Sequence, residues 1–177
     1  MRISRRLFVV PLAENNHGKS TAMNALLSQG LGASSPGQKG ARRLISPWGR
    51  KIDAYVFVRS YQEKEKKSDH TVKDTLDAND MSWRERELIV LPSHVYKCSS
   101  DIEEMIDAAH SAGFDAVCAS LILTGDRGDD RQSFADIWEK SWDERWTLPN
   151  PRAENWEQQV EAIGRDLWTW ICGALAL

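Results

Sequence analysis

The segment Gly18-Lys19-Ser20-Thr21 constrains the fold of this chain more than any other part of its sequence. The largely apolar run Arg6–Leu12 before it predicts a buried strand, and Lys19–Ser28 has the apolar spacing of an amphipathic helix. A phosphate-binding loop requires this order. The strand delivers the chain, the backbone N–H groups of a small-residue loop turn inward, and the helix directs the positive end of its dipole at the phosphates. The sequence therefore predicts a phosphate site between this strand and this helix.

The segment from Ala13 to Thr21 resembles the phosphate-binding loop of the P-loop NTPase superfamily, whose pattern is G-x-x-x-x-G-K-[ST]. Ala13 stands where the pattern has its first glycine, and because alanine is small the turn is constrained rather than prevented. The resemblance specifies a superfamily, not a particular family. It implies that Lys19 contacts the β- and γ-phosphates of a nucleoside triphosphate and that the Ser20 hydroxyl binds Mg²⁺. The residues it assigns to the nucleotide are Ala13, Asn15, Asn16, His17, Gly18, Lys19, Ser20 and Thr21.

Strand and helix patterns alternate along the rest of the chain and predict an α/β fold. We expect residues 1–177 to form one P-loop nucleotide-binding domain, a three-layer sandwich whose mostly parallel sheet of about five strands is flanked by helices. Two β-rich runs separated by Pro47-Trp48-Gly49-Arg50 predict an antiparallel hairpin within that sheet. The predicted elements after the first helix are the strands Arg42–Ser46, Ile52–Arg59, Leu88–Leu91 and Phe114–Leu123 and the helix Asp101–Ala112.

The segment Tyr61–Glu87 has few apolar residues and contains a run of charges. A polar connection of this length indicates a mobile functional lid or a disordered excursion, with a short helix near Val72–Ala78.

The last third of the chain is rich in tryptophan. Trp138, Trp142 and Trp146 recur at four-residue spacing, which favours aromatic side chains that pack on the core. The segment Asn155–Leu177 predicts a final helix, and Trp168 and Cys172 lie off its apolar stripe. These two side chains, with an uncharged tail, predict a protein partner or a homo-oligomer. The stripe consists of Trp156, Val160, Ile163, Leu167, Trp170 and Ala174.

Composition excludes several other classes of protein. The formal net charge is −3, and acidic residues outnumber basic ones between Asp126 and Glu161, so a nucleic-acid partner is not expected. The three cysteines are far apart and make no zinc-binding spacing. The first apolar run ends at Pro11, which is too short for a signal peptide or a membrane span. We therefore expect a cytoplasmic protein with no membrane association.

Hydrolysis of a nucleotide usually needs a carboxylate at the end of a neighbouring strand. The strand Leu88–Leu91 is followed instead by Pro92-Ser93-His94, so Ser93 or His94 occupies that place. Asp53, in the predicted hairpin, is the nearest acidic candidate and can equally be a charge at the hairpin edge. A basic stretch and an acidic loop are further candidates for phosphate chemistry. They comprise Lys39, Arg42, Arg43, Arg50 and Lys51, and Asp126, Asp129 and Asp130.

Three functions are compatible with these features. An ATPase-type hydrolase acting with a protein partner would use Lys19, Ser20 and Thr21 with an acid that the sequence does not identify. A small-molecule kinase would need a general base near an acceptor, for which Asp53, Asp126 and His94 are available. A nucleotide-responsive binding module would dispense with the acid. The expected cofactor is Mg²⁺ with ATP; GTP stays open, although the Asn-Lys-x-Asp motif of small GTPases does not occur in the chain.

Overall fold

In the computed structural model, residues 4–14, 18–34, 38–124, 131–151 and 154–177 are described. Within them the strands are β1 (Leu7–Leu12), β2 (Gly40–Ile45), β3 (Lys51–Val56), β4 (Leu88–Val90), β5 (Asp115–Thr124) and β6 (Glu144–Pro151). The helices are α1 (Lys19–Leu31), α2 (Tyr61–Lys64), α3 (Val72–Asn79), α4 (Ser99–Ser111), α5 (Arg131–Trp138) and α6 (Trp156–Leu175), with a 3₁₀ turn at Trp83–Glu85.

The strands form one sheet in the order β2-β3-β4-β1-β5-β6. Strand β1 lies in the middle and pairs in parallel with both β4 and β5. The pair β2–β3 is antiparallel, whereas β3 pairs in parallel with β4. This confirms the predicted α/β fold, a mostly parallel sheet with one hairpin and helices on both faces.

The sheet has one strand more than the sequence predicted, because Trp146 lies in a strand. Trp138 ends α5, Trp142 lies in the connection after it, and Trp146 lies in β6, so their four-residue spacing marks no single helix. The solvent exposure of β6 alternates instead, with Trp146 and Leu148 turned inward and Thr147 exposed. Strand β6 forms one edge of the sheet, where its prolines cost no hydrogen bond to a further strand.

Two apolar cores lie on opposite faces of the sheet because the side chains of each strand alternate in direction. In β1, Leu7 and Val9 point to the core under α1 and α6, whereas Phe8 and Val10 point to the core under α3, α4 and α5. Strand β1 therefore contributes side chains to the cores on both faces of the sheet.

Helices α1 and α6 cross in close contact at Gly164. A Cβ atom built on Gly164 would lie 2.2 Å from the carbonyl oxygen of Ala22 and 2.9 Å from the Cβ of Ala25. A backbone oxygen cannot move away without displacing its helix, so only glycine fits at this crossing. The crossing holds the start of α1 against the first turns of α6.

The polar segment Tyr61–Glu87 is folded, so the expectation of a disordered excursion was wrong, whereas the predicted short helix near Val72–Ala78 is confirmed as α3. Helix α3 is preceded by Thr71 as its N-cap, and Thr71 and Asp74 form a capping box in which each side chain bonds the other residue's backbone N–H group. The Trp83 ring is buried and stacks on Phe114 with ring centroids 6.0 Å apart. The apolar residues of this segment are few, but several are large, and burial of large rings compensates for a polar composition. The buried ones are Tyr61, Val72, Leu76 and Trp83.

The buried face of the last helix agrees only in part with the one predicted. Val160, Ile163, Leu167 and Ala174 of the predicted stripe are buried. Trp168 and Cys172, expected to face a partner, are 0% and 1% exposed, whereas Trp156 and Trp170 are 48% and 44% exposed. Helix α6 packs against both α1 and the sheet. More than one side of α6 is therefore buried, and the apolar stripe alone does not predict which of its residues are in the core.

No helix in the described part of the chain is long and apolar enough to cross a membrane.

Candidate functional site

The carboxyl ends of β1 and β4 lie side by side in the middle of the sheet. A parallel bridge joins Leu12, the last residue of β1, to Ser93, which lies just beyond the end of β4. The chain passes from β1 to α1 on one face of the sheet and from β4 to α4 on the opposite face. Ligands of open α/β sheets bind in the crevice at such a switch point, because the two connections diverge and leave a gap.

Gly18 makes the turn from the loop into α1. Its φ of 87° lies in the left-handed region, and its carbonyl accepts the first helical hydrogen bond from Ala22 N at 2.9 Å. A Cβ atom here would lie 2.9 Å from both methyl groups of Val160 in α6. Both the backbone conformation and the close packing therefore require glycine. The expected ligands Asn15, Asn16 and His17 lie outside the described residues.

The Lys19 ammonium lies at the mouth of this loop, buried among polar groups. Its Nζ atom donates to the carbonyl oxygen of Ala13 at 2.9 Å and lies 3.0 Å from Nδ1 of His94. The residue is only 7% exposed. Burial lowers the pKa of Lys19 to about 8, although the negative charges of Glu63 and Glu14 raise it in part. At neutral pH the site therefore contains a cation with few charge partners.

His94 connects Lys19 to a carboxylate. Burial and the positive charge of Lys19 lower the pKa of His94, and Glu63 acts in the opposite direction, so the imidazole is neutral at pH 7. Because the ammonium donates to Nδ1, the imidazole proton is on Nε2, which lies 3.4 Å from Oε1 of Glu63. Lys19, His94 and Glu63 thus form a chain of an amine, an imidazole and a carboxylate.

Gln62 fixes the position of His94. Its side-chain carbonyl accepts from the backbone N–H of His94 at 3.0 Å, and its amide donates to Ser93 Oγ at 2.9 Å and to Asp101 Oδ2 at 3.1 Å. Asp101 is buried and ion-paired with Lys66 at 2.8 Å. Asp101 thus bonds both Lys66 and Gln62, and Gln62 bonds Ser93 and His94. These bonds stabilise the loop after β4.

An open cleft of about 340 Å³ runs over the start of α1. Its walls come from three parts of the fold: the start of α1, the stretch that leads from β3 into α2, and the first residue of α6. The residues that line it are Gly18, Lys19, Ser20, Thr21, Arg59, Glu63 and Trp156.

Comparison with protein-family models gives no match, and comparison with curated proteins gives none either. What the cleft can do chemically therefore follows from its own groups. It joins a buried cation, the N-terminal end of a helix, two hydroxyls and a carboxylate at one edge of the sheet. Such a combination suits a phosphate group, because the helix end and the ammonium both favour negative charge.

Magnesium has few protein ligands in this cleft. Among the described residues, no group of three or more His, Cys, Asp or Glu side chains could hold a metal ion. Mg²⁺ commonly keeps several waters and takes further ligands from substrate phosphates, so one hydroxyl from the protein is compatible with an ion that arrives with a nucleotide. Ser20, half-buried in the first turn of α1, is the residue that fits this role.

The structure brings together Ala13, Gly18, Lys19, Ser20, Thr21 and His94, but not Asp53. Asp53 lies in the first half of β3, where its carboxylate pairs with Arg86 at 2.8 Å and its carbonyl accepts from Glu87 N. At about 3.3 Å per strand residue, the level of Glu87 is roughly 20 Å from that of His94. The ion pair explains why the strand has an acid at this position.

The other candidates are scattered. Lys39 pairs with Glu65 near the carboxyl edge of the sheet, whereas Arg50 pairs with Glu87 and donates to the carbonyl oxygen of Leu175 at 3.0 Å. The candidate acidic loop, with Asp126, Asp129 and Asp130, lies outside the described residues.

Sequence reasoning missed three residues of the cleft: Arg59, Glu63 and Trp156. Arg59 follows the carboxyl end of β3, and a search of every strand end for polar residues would have found it. Glu63 lies in the segment that was expected to be a lid. Trp156 was assigned to the buried stripe of the last helix. No local sequence pattern distinguishes Glu63 and Trp156 from ordinary surface residues.

The lowered pKa of Lys19 makes a prediction about stability. Below about pH 8, Lys19 is protonated in both the folded and the unfolded state, so folding has to bury a charged ammonium, which lowers the stability. Between that pKa and the ordinary value of 10.5, the unfolded state binds more protons, so stability rises with pH. We expect the free energy of unfolding of the wild type, relative to Lys19→Met, to increase by about 1–3 kcal/mol from about pH 7 to pH 10 in urea denaturation. A constant difference between the two proteins would contradict the buried ammonium.

Proposed function

We propose that this chain binds Mg·ATP through a P-loop and hydrolyses it as an ATPase-type enzyme that acts with a protein partner. The observation that carries the proposal is the Lys19 ammonium, buried at the start of α1 and only 2.9 Å from the carbonyl of Ala13. A buried cation costs free energy unless a counter-charge compensates it. Triphosphate oxygens would provide that charge at the mouth of the loop.

Each group in the cleft has a role in this proposal. Lys19 exchanges its bonds to Ala13 and His94 for bonds to the β- and γ-phosphates. The backbone N–H groups at the start of α1 bind phosphate oxygens, and the Ser20 hydroxyl holds the magnesium ion, whose positive charge offsets that of the triphosphate. Nothing in these contacts selects a base, so GTP is an alternative ligand.

Hydrolysis requires a group that orients or deprotonates the attacking water. Glu63 is suited to this role, since its carboxylate lines the cleft beside Lys19 and is connected to His94. Arg59, on the same side, would neutralise charge that develops on the transferred phosphoryl group. In this proposal Glu63 provides the carboxylate that is missing at the end of β4.

A small-molecule kinase is the second candidate. A neighbouring cleft of about 270 Å³ shares Arg59 with the first and is also lined by Lys64 and by the ion pair of Lys39 and Glu65, so its net charge is positive. An acceptor molecule in this second cleft would lie next to the reacting phosphate. Because the net charge of the cleft is positive, the acceptor would be negatively charged. Kinase activity would appear as phosphate transfer that depends on such an acceptor.

A partner is supported by large apolar side chains that α6 and the hairpin leave exposed. Trp48 is 54% exposed, and Trp170 is 44% exposed and packs edge-on against Trp146. A second copy of the chain is an alternative to a different protein.

The test is calorimetry with Mg·ATP together with a phosphate-release assay on the wild type, Glu63→Gln and Asp53→Asn. We expect the wild type and Asp53→Asn to bind and turn over equally, because Asp53 is at the opposite end of the sheet. Glu63→Gln should keep its affinity and release phosphate about 10²-fold more slowly. Binding without release in the wild type would instead identify a nucleotide-responsive binding module, and absence of binding would overturn the proposal.

A further inference from the structure

Trp156 presents an exposed indole at one rim of the cleft. It is the first residue of α6, and 48% of it is exposed to solvent. Val160, one turn later, touches the position of Gly18, so the first turn of α6 is held directly beside the loop. The crossing at Gly164 fixes the same part of α6 against α1. The indole is therefore positioned by two close contacts of its helix.

The core does not account for this indole. Trp168, in the same helix, is fully buried, and Trp170 packs against Trp146 with ring centroids 6.1 Å apart. Within the described residues, Trp156 takes part in no ring pair and no cation–π contact. A half-exposed aromatic ring on the rim of an otherwise polar cleft offers a flat surface to a ligand.

The cleft has two chemically different ends. Arg59 and Glu63 follow β3, whereas Trp156 follows β6, and in the sheet these two strands lie on opposite sides of β1, the strand that precedes Lys19. Charged groups suit the reacting phosphate, whereas an indole suits a planar aromatic group. A nucleotide has the matching arrangement, with charged phosphates at one end and an aromatic base at the other.

We propose that Trp156 is the stacking platform for the nucleobase, so that a bound nucleotide lies with its base at α6 and its terminal phosphate at Arg59. This inference rests on the proposed nucleotide binding and adds the subsite that holds the base. Stacking contacts the face of the ring and does not read its edge, so purine nucleotides are bound with little discrimination.

The experiment compares two ligands, Mg·ATP and magnesium tripolyphosphate, by calorimetry. The proteins are the wild type, Trp156→Ala, Trp156→Phe and, as a control on the same helix, Trp170→Ala. We expect Trp156→Ala to weaken ATP binding about 5- to 150-fold, the range that stacking gives per base, with the affinity for tripolyphosphate unchanged. Trp156→Phe should retain most of the affinity for ATP, and Trp170→Ala all of it.

Two results would overturn the inference while the proposed function stands. ATP affinity that is unchanged in Trp156→Ala would show that the base lies elsewhere. An equal loss for ATP and tripolyphosphate would show that Trp156 supports the phosphate loop instead of the base. A wild type that binds neither ligand would overturn the proposed function itself, and with it the base platform.

Discussion

Replacing Lys19 by alanine is expected to remove most of the affinity for Mg·ATP. The ammonium is 7% exposed and is already desolvated in the free protein, so its attraction to the phosphates is weakly screened by water. Removal of one partner of a desolvated charge pair costs roughly 2–5 kcal/mol, a factor of about 30 to 5,000 in the dissociation constant. Calorimetry measures this loss directly.

Lys51→Ala is the matched control for this variant. Lys51 is exposed at the start of β3, at the opposite end of the sheet from the cleft, and its removal should leave the affinity unchanged. Circular dichroism of Lys19→Ala should match that of the wild type, because Lys19 bonds only Ala13 and His94 among the described residues. Equal affinities of Lys19→Ala and the wild type would rule out the P-loop assignment.

Replacing Trp168 by alanine is expected to give the largest loss of stability in the last helix, about 3–5 kcal/mol. The side chain is fully buried in the core between the sheet and the pair α1 and α6. Alanine would leave a cavity that the close contact of the two helices at Gly164 prevents from collapsing. Urea denaturation measures the loss as a shift of the midpoint.

Trp170→Ala is the control, since it removes the same side chain from the same helix at a half-exposed position. We expect it to cost well below half as much. Trp168→Phe should also cost less than alanine, because the buried Nε1 of Trp168 has no hydrogen-bond partner in the described part of the chain. A small loss from Trp168→Ala would show that this face of α6 is not core and would restore the sequence-based expectation of a partner there.

The elements predicted from local periodicity agree with the structure closely. Helix α1, strand β1 and the hairpin of β2 and β3 lie within a few residues of their predicted bounds. Each has a pattern that depends on its own residues alone: an apolar run, a helical face, or a turn between two β-rich runs. Strand β6 was missed because its tryptophan happens to continue a four-residue spacing that begins in α5.

The candidate site was predicted in part. Lys19 was identified from the loop sequence, since the order of strand, loop and helix already predicts that this lysine is at the start of the helix. His94 was one of two residues, with Ser93, predicted to stand in the place of an acid, and its Nδ1 lies 3.0 Å from Lys19 Nζ. Asp53 was chosen for its charge and its order in the chain, but the direction of β3 places it at the wrong end of the sheet.

The sequence by itself determined the periodic elements, the class of fold and the position of the loop, because these depend on neighbours along the chain. Only the tertiary structure decided which distant side chains face Lys19 and which face of α6 is buried. Glu63, Arg59 and Trp156 come from separate elements, and their meeting depends on strand order and on the close contact of two helices. Packing of this kind joins residues without regard to their spacing, so no local pattern records it.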